Sequence, residues 1–249
     1  AGIVKVVHTE HDAWHLQSKK NRFFQGIILK ICRPSVVADC QLVEKMLRRY
    51  FPSLPINMIF NGVDVEKFIP GDQLVARQKL DLPLDVPLIG CAGRLVEVKG
   101  QQGLVKALAK LPQEVHLVLA GDGLCRERLA KLAVQLGVQQ RLHFLGLIND
   151  TVSFYQAIDV FCMASLAEGL PLAPLEAQAC GKVCVLTDVG GSSEALCPTS
   201  GILVEVNNVT ELAAGIQNAL AVEDADPREF VVNQRNFSTM AQSYQALAH

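Results

Sequence analysis

Short apolar runs rich in β-branched residues alternate with segments of helical period, most regularly from residue 88 to residue 221. An apolar run of about four to eight residues between turn signals predicts a buried strand. Because helical segments separate most of these strands, the pattern indicates a doubly wound parallel sheet with right-handed crossovers. The predicted strands are Leu88–Ala92, Val115–Ala120, Leu142–Leu145, Val160–Met163, Val183–Thr187 and Ile202–Val204.

Between and after these strands, apolar residues recur at the spacing of an amphipathic helix. The predicted helices are Lys99–Leu111, Leu124–Leu136, Thr151–Ile158, Pro174–Cys180, Val209–Ala221 and Pro227–Ala248. The end of the last helix carries an apolar stripe of Phe237, Met240, Tyr244 and Leu247, which we expect to pack against the N-terminal part of the chain.

The N-terminal part shows a shorter version of the same alternation. Asp39 is predicted to cap the second of its helices. The stretch from Pro70 to Pro87 contains Pro70, Gly71, Pro83 and Pro87, so we interpret it as a linker that holds the domain boundary. The predicted elements are the strand Ile3–His8, the helix Ser18–Ile31, the strand Val36–Ala38, the helix Asp39–Tyr50 and the extended segment Ile56–Phe60.

Composition narrows the class of protein. The chain has 249 residues, half of them hydrophobic, with 23 Lys and Arg against 25 Asp and Glu, so a nucleic-acid partner is not expected. No apolar run reaches the roughly eighteen residues of a membrane span, and the first residues do not have the pattern expected of a secretory signal. The start at Ala1 inside an apolar run suggests that the true start lies upstream. Eight cysteines without a C-x-x-C pair favour reduced thiols, no metal site and a cytoplasmic location.

Candidate chemistry lies where the predicted strands end, since ligands of such sheets bind at the carboxyl ends of the strands. After Leu88–Ala92 come Gly93, Arg94 and, five residues later, Lys99, predicted to start the next helix. Two cations beside a helix N-terminus suit a pyrophosphate. The alternative is a solvated Arg and Lys in a surface loop.

After Val160–Met163 comes a loop with Glu168 and Gly169, followed by Pro174 at the predicted first helical position and Glu176 in the first turn. A glycine allows the backbone to approach a ligand closely. Glu176 can accept two ribose hydroxyls, while Glu168 faces a sugar. Two glutamates eight positions apart also arise by chance, so their position at a strand–loop–helix junction carries the interpretation.

These segments resemble the retaining glycosyltransferases of family four, which have the GT-B fold. Glu168-Gly-Leu-Pro-Leu-Ala-Pro-Leu-Glu176 looks like their E-x7-E motif, and Gly93-Arg94…Lys99-Gly100 is similar to their phosphate-binding segment. Three further segments resemble the family in the same order along the chain. Asn61-Gly62-Val63-Asp64…Phe68-Ile-Pro70 resembles the interdomain linker, Val189-Gly190-Gly191…Glu194 a further shared loop, and His8-Thr-Glu-His11 a segment of the N-terminal domain. Lys182 stands where the family usually has a proline.

The resemblance implies an α/β protein of GT-B type. We expect one complete Rossmann-like doubly wound parallel sheet and an incomplete N-terminal Rossmann-like remnant, because the family's first glycine-rich loop and its N-domain histidine have no counterpart. The implied domains are a remnant of the acceptor-binding domain with its linker (1–70), the nucleotide-sugar donor domain (71–235) and a C-terminal helix that crosses back (236–249).

The resemblance also implies residue roles. Arg94 and Lys99 would bind the donor diphosphate, Glu176 the ribose and Glu168 the transferred sugar, with Glu168, Arg94 and Lys99 as the catalytic set. The loop around Gly146 and Leu147 would flank the nucleobase. The whole implied donor-binding set is Gly93, Arg94, Lys99, Leu147, Glu168, Gly169, Leu170, Pro171, Leu172 and Glu176.

The implied function is hexosyl transfer from a nucleoside-diphosphate sugar, with UDP-sugars favoured, to a glycan or lipid-linked saccharide in polysaccharide biosynthesis. Configuration would be retained, without cofactor or metal, and the resemblance allows a peripheral position at the inner membrane face. Two alternatives stay open: a non-catalytic nucleotide-sugar-binding module and a nucleotide-sugar epimerase of GT-B shape. Asp224-Ala-Asp226 is interpreted as a solvated turn, and Gly121-Asp122-Gly123 lacks the third glycine of a dinucleotide fingerprint.

Among the histidines, His8 and His11 could face the donor. His8 also ends an apolar strand and could equally be a core residue. Trp14 could line the cleft or cover the following helix. The other histidines are interpreted as structural or solvated.

Overall fold

Two parallel sheets organise the computed structural model, which describes residues 5–12 and 14–248. The smaller sheet has the order β1-β2-β3, formed by β1 (Val7–Glu10), β2 (Ser35–Ala38) and β3 (Ile56–Met58). The predicted strand Ile3–His8 falls partly outside the described residues, and β1 continues past His8 to Glu10. One edge of this sheet, along β1, has no neighbouring strand among the described residues.

Helix α1 (Lys19–Cys32) lies between β1 and β2 in the chain, and helix α2 (Gln41–Tyr50) lies between β2 and β3. The Ser18 side chain caps α1 by accepting a hydrogen bond from the Asn21 amide. The prediction that Asp39 caps α2 is wrong, because the N-cap is Cys40. The Asp39 carboxylate instead contacts the side chains of His11 and Asn61, both of which lie outside α2.

The larger sheet has the order β6-β5-β4-β7-β8-β9 and is parallel throughout. The chain winds outwards from β4 in one direction and then from β7 in the other, so a crevice opens between the carboxyl ends of β4 and β7. The prediction of one complete doubly wound sheet beside a shorter one is confirmed. Its strands are β4 (Leu88–Ala92), β5 (His116–Ala120), β6 (Leu142–Gly146), β7 (Val160–Met163), β8 (Val183–Thr187) and β9 (Ile202–Val204).

Most helices of this half lie close to their predicted positions, and one was missed. The segment interpreted as a linker contains α3, capped by Asp72, and the buried guanidinium of Arg77 donates to Ala157 O and to the Asp159 carboxylate. The linker is thereby attached to the larger sheet. The helices are α3 (Gln73–Lys79), α4 (Gln101–Leu108), α5 (Arg126–Gln135), α6 (Thr151–Ala157), α7 (Ala173–Ala179), α8 (Val209–Leu220), α9 (Pro227–Gln234) and α10 (Phe237–Ala248).

The predicted single helix over 227–248 is two helices, because the chain opens at Arg235 and Asn236 to pair with Val63. The Val63 amide donates to Arg235 O, and the Phe237 amide donates back to Val63 O. In α10 the Met240 sulfur accepts from the Gly62 amide, and the Tyr244 hydroxyl lies 2.9 Å from Thr9 Oγ1. Phe237, the first residue of the predicted stripe, is 56% exposed, so the expectation that it packs against the N-terminal part is wrong.

Apolar side chains fill both faces of the larger sheet. One face is covered by α4, α5 and α8, and the core on the other continues into the smaller sheet, which is therefore not packed as a separate unit. Seven of the eight cysteines are buried, and none forms a disulfide. No helix among residues 5–12 and 14–248 is long and apolar enough to cross a membrane.

Candidate donor-binding site

A cavity of about 260 Å³ opens at the carboxyl ends of β4, β5 and β6. Arg94 lies at its rim, exposed to solvent, and the Leu147 side chain is 84% exposed on the loop after β6. The sequence-predicted residues Gly93, Arg94 and Leu147 are thus brought together. The cavity is lined by Ala92, Gly93, Arg94, Ala120, Gly121, Asp122, Leu147, Ile148 and Thr151.

Glycines allow the strand ends to meet at this cavity. Gly121 has a φ of 135°, and a Cβ there would lie 2.0 Å from Gly93 O. The Gly93 amide donates to Ala120 O at 2.9 Å, so the backbones after β4 and β5 are in direct contact. A side chain at residue 121 would separate them, which is why the sequence turns on glycine here.

Lys99 and Glu168 form an ion pair across the crevice between β4 and β7. Lys99 Nζ lies 2.7 Å from Glu168 Oε1 and 2.9 Å from Oε2. Glu168 is only 7% exposed and also accepts a 2.6 Å hydrogen bond from the Ser165 hydroxyl. A carboxylate that is buried to this extent is stabilised by such charge-assisted partners. No sequence pattern singles out Ser165.

The backbone holds the two loops of this pair together. The Leu166 amide donates to Val98 O at 2.8 Å, and Gly100, with a φ of 62°, sits where a Cβ would lie 1.9 Å from Ala164 O. The prediction that Lys99 starts the next helix is wrong. Lys99 is the last residue of a short 3-10 turn. Gly100 then has a left-handed conformation, and α4 begins only at Gln101.

The segment after Glu168 is packed against the N-terminal part of the chain. A Cβ at Gly169 would lie 2.0 Å from His11 O, and Gly169 O accepts from the Gly191 amide. Leu170 is 5% exposed, and its carbonyl accepts from the Asn61 side chain. Pro171 is buried, whereas Leu172 is 45% exposed as the N-cap residue of α7.

Glu176 is half-buried in α7, which begins at Ala173, so Pro174 occupies the second helical position rather than the predicted first. Glu176 Oε2 accepts a 2.6 Å hydrogen bond from the Tyr155 hydroxyl. Burial raises the pKa of Glu176, and the Tyr155 hydrogen bond opposes that rise. The Tyr155 contact was not predicted, because Tyr155 lies on α6 within an apolar stretch and reads as a core residue.

His11 lies beside the Glu168–Gly169 loop. Its side chain is 63% exposed, and Nδ1 lies 3.0 Å from Oδ2 of Asp39, a carboxylate with 1% exposure whose pKa is raised by burial. His8 instead points towards Glu10, with Nε2 3.3 Å from Oε2, and lines a separate cavity next to α1. Of the two histidines that could face the donor, the structure brings His11 next to the predicted sugar-binding loop.

The loop around Gly190, which resembles a loop shared by the family, contacts both halves of the structure. A Cβ at Gly190 would lie 1.8 Å from Glu168 O, and both carboxylate oxygens of Glu194 accept from the Gln41 amide at 3.0 and 3.1 Å. Burial raises the pKa of Glu194. Asp226, the second acid of Asp224-Ala-Asp226, caps α9 by accepting from the Glu229 amide.

Residues 72–237 match the family model described as "Glycosyl transferases group 1". The chain belongs to this family. The match covers the larger sheet with every predicted donor-binding residue. It begins at Asp72, the residue that caps α3.

Curated proteins with similar sequences are also named as glycosyltransferases. The chain is 40% identical over 148 residues to a lipopolysaccharide core biosynthesis glycosyltransferase of Rhizobium meliloti, covering 59% of this chain and 43% of that protein. It is 35% identical over 196 residues to the D-inositol 3-phosphate glycosyltransferase of Mycobacterium leprae, covering 74% of this chain and 46% of that protein. The chain therefore spans less than half the length of these relatives.

Solved structures share the fold over nearly the whole chain. The sucrose-phosphate synthase of Thermosynechococcus elongatus superposes with a TM-score of 0.86 at 26% identity, over 97% of this chain and 66% of that one. HepE of Anabaena, solved with UDP and glucose, gives a TM-score of 0.85 at 24% identity, over 97% and 70%. The GT-B type fold of the group 1 family is confirmed.

Proposed function

We propose that this chain is the donor-binding part of a retaining glycosyltransferase that moves a hexose from a nucleoside-diphosphate sugar to a glycan or lipid-linked saccharide without a metal. Membership of the group 1 family supports the transferase class. The specific roles rest on the residues at the strand ends. The domain limits that go with it, 1–70, 71–235 and 236–249, are part of the same proposal.

The observation that carries the proposal is the contact of Lys99 with Glu168. A cation for the phosphates and a carboxylate for the sugar must be neighbours, because the diphosphate and the sugar share one oxygen in the donor. Lys99 is 27% exposed and Glu168 is almost buried, so the lysine presents its remaining donors to the crevice. Arg94, on the same loop and at the rim of the cavity, supplies a second cation.

The chemistry follows from where charge develops. As the glycosidic bond breaks, negative charge builds on the diphosphate, and fixed cations stabilise it more strongly in the transition state than in the bound donor. Arg94 and Lys99 are the cations we assign to this task. The acceptor hydroxyl attacks the anomeric carbon from the face that the diphosphate leaves, and its proton passes to the leaving phosphate. Because the new bond forms on the face of the broken one, the configuration is retained.

The rest of the donor is assigned to the same edge of the sheet. Glu176 accepts ribose hydroxyls through the oxygen that Tyr155 leaves free, and the exposed Leu147 flanks the base. UDP-sugars are the favoured donors by family resemblance. A relative from Corynebacterium glutamicum, 34% identical over 168 residues, is named as GDP-mannose-dependent, so guanine donors are the first alternative to test.

The acceptor side is proposed in general terms. The relatives named for lipopolysaccharide core biosynthesis and for mannosylation of a phosphatidylinositol mannoside support a saccharide or lipid-linked acceptor. A peripheral position at the inner membrane face is proposed by family resemblance alone. Because the chain spans less than half of those proteins, we expect it to bind donors but to transfer sugar poorly, since transfer needs both reactants in near-attack geometry.

Calorimetry with UDP, GDP, ADP and one nucleotide sugar, all in EDTA, tests the proposal. We expect binding of at least one nucleoside diphosphate in the absence of metal. Binding that appears only when Mg²⁺ is added would overturn metal independence. The absence of binding under both conditions would overturn the assignment of the crevice and leave only the family membership.

A further inference from the structure

The N-terminus of α2 is capped by a residue from the other half of the chain. Cys40 is the N-cap residue, but its side chain makes no capping hydrogen bond. Both carboxylate oxygens of Glu194 instead accept from the Gln41 amide, at 3.0 and 3.1 Å. A carboxylate at the first turn also interacts favourably with the positive end of the helix dipole. Glu194 thus supplies, from 153 positions further along the sequence, the acceptor that a helix ordinarily takes from its own N-cap.

Glu194 lies on the short 3-10 turn Ser193–Ala195, and the backbone of this turn is held as well. Arg235 Nη2 donates to Glu194 O at 3.1 Å. Arg235 O in turn accepts from the Val63 amide, in the segment between α9 and α10, and the guanidinium lies 4.0 Å from the centre of the Phe60 ring. The side chain and the carbonyl of Glu194 are therefore both bonded to residues outside its own loop.

The same turn is hydrogen-bonded to the loop that carries Glu168. The Glu194 amide donates to Gly191 O at 3.1 Å, and the Gly191 amide donates to Gly169 O at 2.8 Å. Gly190 has a φ of 60°, and a Cβ there would lie 1.8 Å from Glu168 O. The two backbones are thus in direct contact, with no space for a side chain between them. A displacement of the turn would displace the backbone from which the Glu168 side chain projects.

Contacts on either side of this path leave little room for the loops to adjust. A Cβ at Gly191 would lie 3.0 Å from Cys40 Cβ, next to the start of α2. A Cβ at Gly169 would lie 2.0 Å from the carbonyl of His11, the residue after β1. Closely packed contacts of this kind transmit a displacement instead of absorbing it.

We propose that Glu194 is a positioning residue for the sugar-binding carboxylate of Glu168. By capping α2 it fixes its own turn, and through Gly191 it holds the backbone of the Glu168 loop. Lys99 and Ser165 bind the carboxylate itself, so they set its orientation while Glu194 sets the place of the loop. The inference rests on the proposed function, in which Glu168 contacts the sugar. Loss of Glu194 should then weaken the binding of a nucleotide sugar more than that of the nucleoside diphosphate.

Calorimetry with UDP and UDP-glucose, and with GDP and GDP-mannose, tests the proposal on Glu194→Ala and Glu194→Gln. In Glu194→Ala the ratio of nucleotide-sugar to diphosphate affinity should fall about threefold or more, because a sugar contact depends on placement to within roughly 0.5 Å. Affinity for the diphosphate should change less, since Arg94 lies on a different loop. Glu194→Gln keeps one uncharged acceptor oxygen and should retain part of the ratio. Glu211→Ala is the matched control, because its carboxylate also accepts a backbone amide, that of Glu205 at 3.1 Å, but within one half of the chain.

Cys40→Ser separates positioning from the stability of α2, because a serine at the N-cap accepts from the first turn of its own helix. The Glu44 amide, which donates to Cys40 O, reports on this turn. Its hydrogen exchange in the unliganded protein should accelerate about fivefold in Glu194→Ala, the usual effect of losing one cap, and should slow again in Glu194→Ala/Cys40→Ser. The Gly191 amide should exchange faster than in the wild type in both variants. Exchange followed by NMR measures both amides.

An unchanged affinity ratio in Glu194→Ala, or a ratio that Cys40→Ser restores, would overturn the proposal, because Glu194 would then only stabilise α2. Circular dichroism identifies a variant that does not fold, and Glu194→Gln then takes its place. If the wild type binds neither nucleotide sugar, the proposed function fails, and the exchange of the Gly191 amide still decides whether Glu194 holds the loop. A Gly191 amide that exchanges at the wild-type rate in Glu194→Ala would overturn this link in either case.

Discussion

Lys99 and Glu168 are 69 residues apart in the sequence, yet their side chains meet at 2.7 Å between the ends of β4 and β7. The pair spans the point at which the strand order of the sheet reverses. The charges of Lys99 and Glu168 neutralise each other in this contact, and the Ser165 hydroxyl donates a hydrogen bond to the carboxylate. Under the proposed function, a donor that binds here would exchange part of this contact for contacts with its phosphates and its sugar.

Glu168→Gln separates the roles of the two charges. The amide keeps nearly the same shape and can still bond to Ser165, but it releases Lys99 from the ion pair. We expect the affinity for UDP to stay the same or to increase, because Lys99 becomes available to the phosphates. The affinity for a UDP-sugar should decrease relative to UDP, since the sugar loses its carboxylate. Calorimetry of both ligands on the same protein gives the ratio.

The conservative exchange Glu168→Asp serves as the control, because it restores the charge at a shorter reach and should recover part of the preference for the sugar. An unchanged ratio of UDP-sugar to UDP affinity in Glu168→Gln would contradict the assignment of Glu168 to the sugar.

Arg94→Ala tests the second cation. Removal of a charge-assisted contact to the diphosphate should weaken UDP binding by roughly 1.5–3 kcal/mol, which is about tenfold to a hundredfold in Kd. Uridine, which has no phosphate, should bind as before. Arg128→Ala removes the same charge from an exposed residue paired with Glu97 and should leave both affinities unchanged. Equal effects of the two substitutions would indicate that only the net charge matters.

Glu176 should make nucleoside binding depend on pH. Burial raises its pKa, and its hydrogen bond with Tyr155 lowers it. A protonated carboxyl accepts ribose hydroxyls poorly, so uridine affinity should fall as the pH decreases through this raised pKa. Tyr155→Phe removes the opposing hydrogen bond, and the fall should begin at a higher pH. Glu176→Gln should bind weakly with no such dependence. A wild-type profile that is flat down to the pKa of an ordinary glutamate would exclude Glu176 as the ribose acceptor.

The strands of the larger sheet could be predicted because each is a short apolar run preceded by a glycine, a proline or a charged residue. The loops that hold Arg94, Leu147 and Glu168 could be predicted for the same reason, since chemistry at the carboxyl ends of parallel strands stands out against an apolar background. All three residues lie at those ends in the structure.

What could not be predicted depends on contacts between distant residues. Tyr155 and Ser165 look like ordinary core and loop residues until the fold brings their hydroxyls to Glu176 and Glu168. Asp39 has the position of a helix cap in the sequence, but the chain turns its carboxylate towards His11 instead. The helix α3 was hidden by the prolines on either side of it, because local composition alone does not register the packing of Arg77.

A pair of histidines at the amino ends of β5 and β6 should make stability depend on pH. His116 Nδ1 lies 2.9 Å from His143 Nε2, and the two rings stack at 5.2 Å. Burial lowers the pKa of both, and in His116 the neighbouring His143 and Arg141 lower it further. A histidine whose pKa is lower in the folded state than in the unfolded one contributes stability above the unfolded value of about 6.5, and that contribution is lost as the pH falls.

We therefore expect the free energy of unfolding, measured by urea denaturation, to fall between about pH 7 and about pH 5 more steeply in the wild type than in His116→Gln/His143→Gln. The unfolded chain takes up protons at both histidines over this range, whereas the folded pair resists protonation, because a second charge would face the first across 2.9 Å.

Glutamine keeps a donor and an acceptor at each position but does not titrate, so the double variant removes the proton uptake without emptying the space. The carboxylates that also titrate near this range are common to both proteins and cancel in the difference. The single variant His143→Gln should show an intermediate slope, since His116 remains partly buried beside Arg141. Identical slopes in the wild type and the double variant would show that the pair takes up protons as readily folded as unfolded, and the pair would then have no part in the acid sensitivity of the fold.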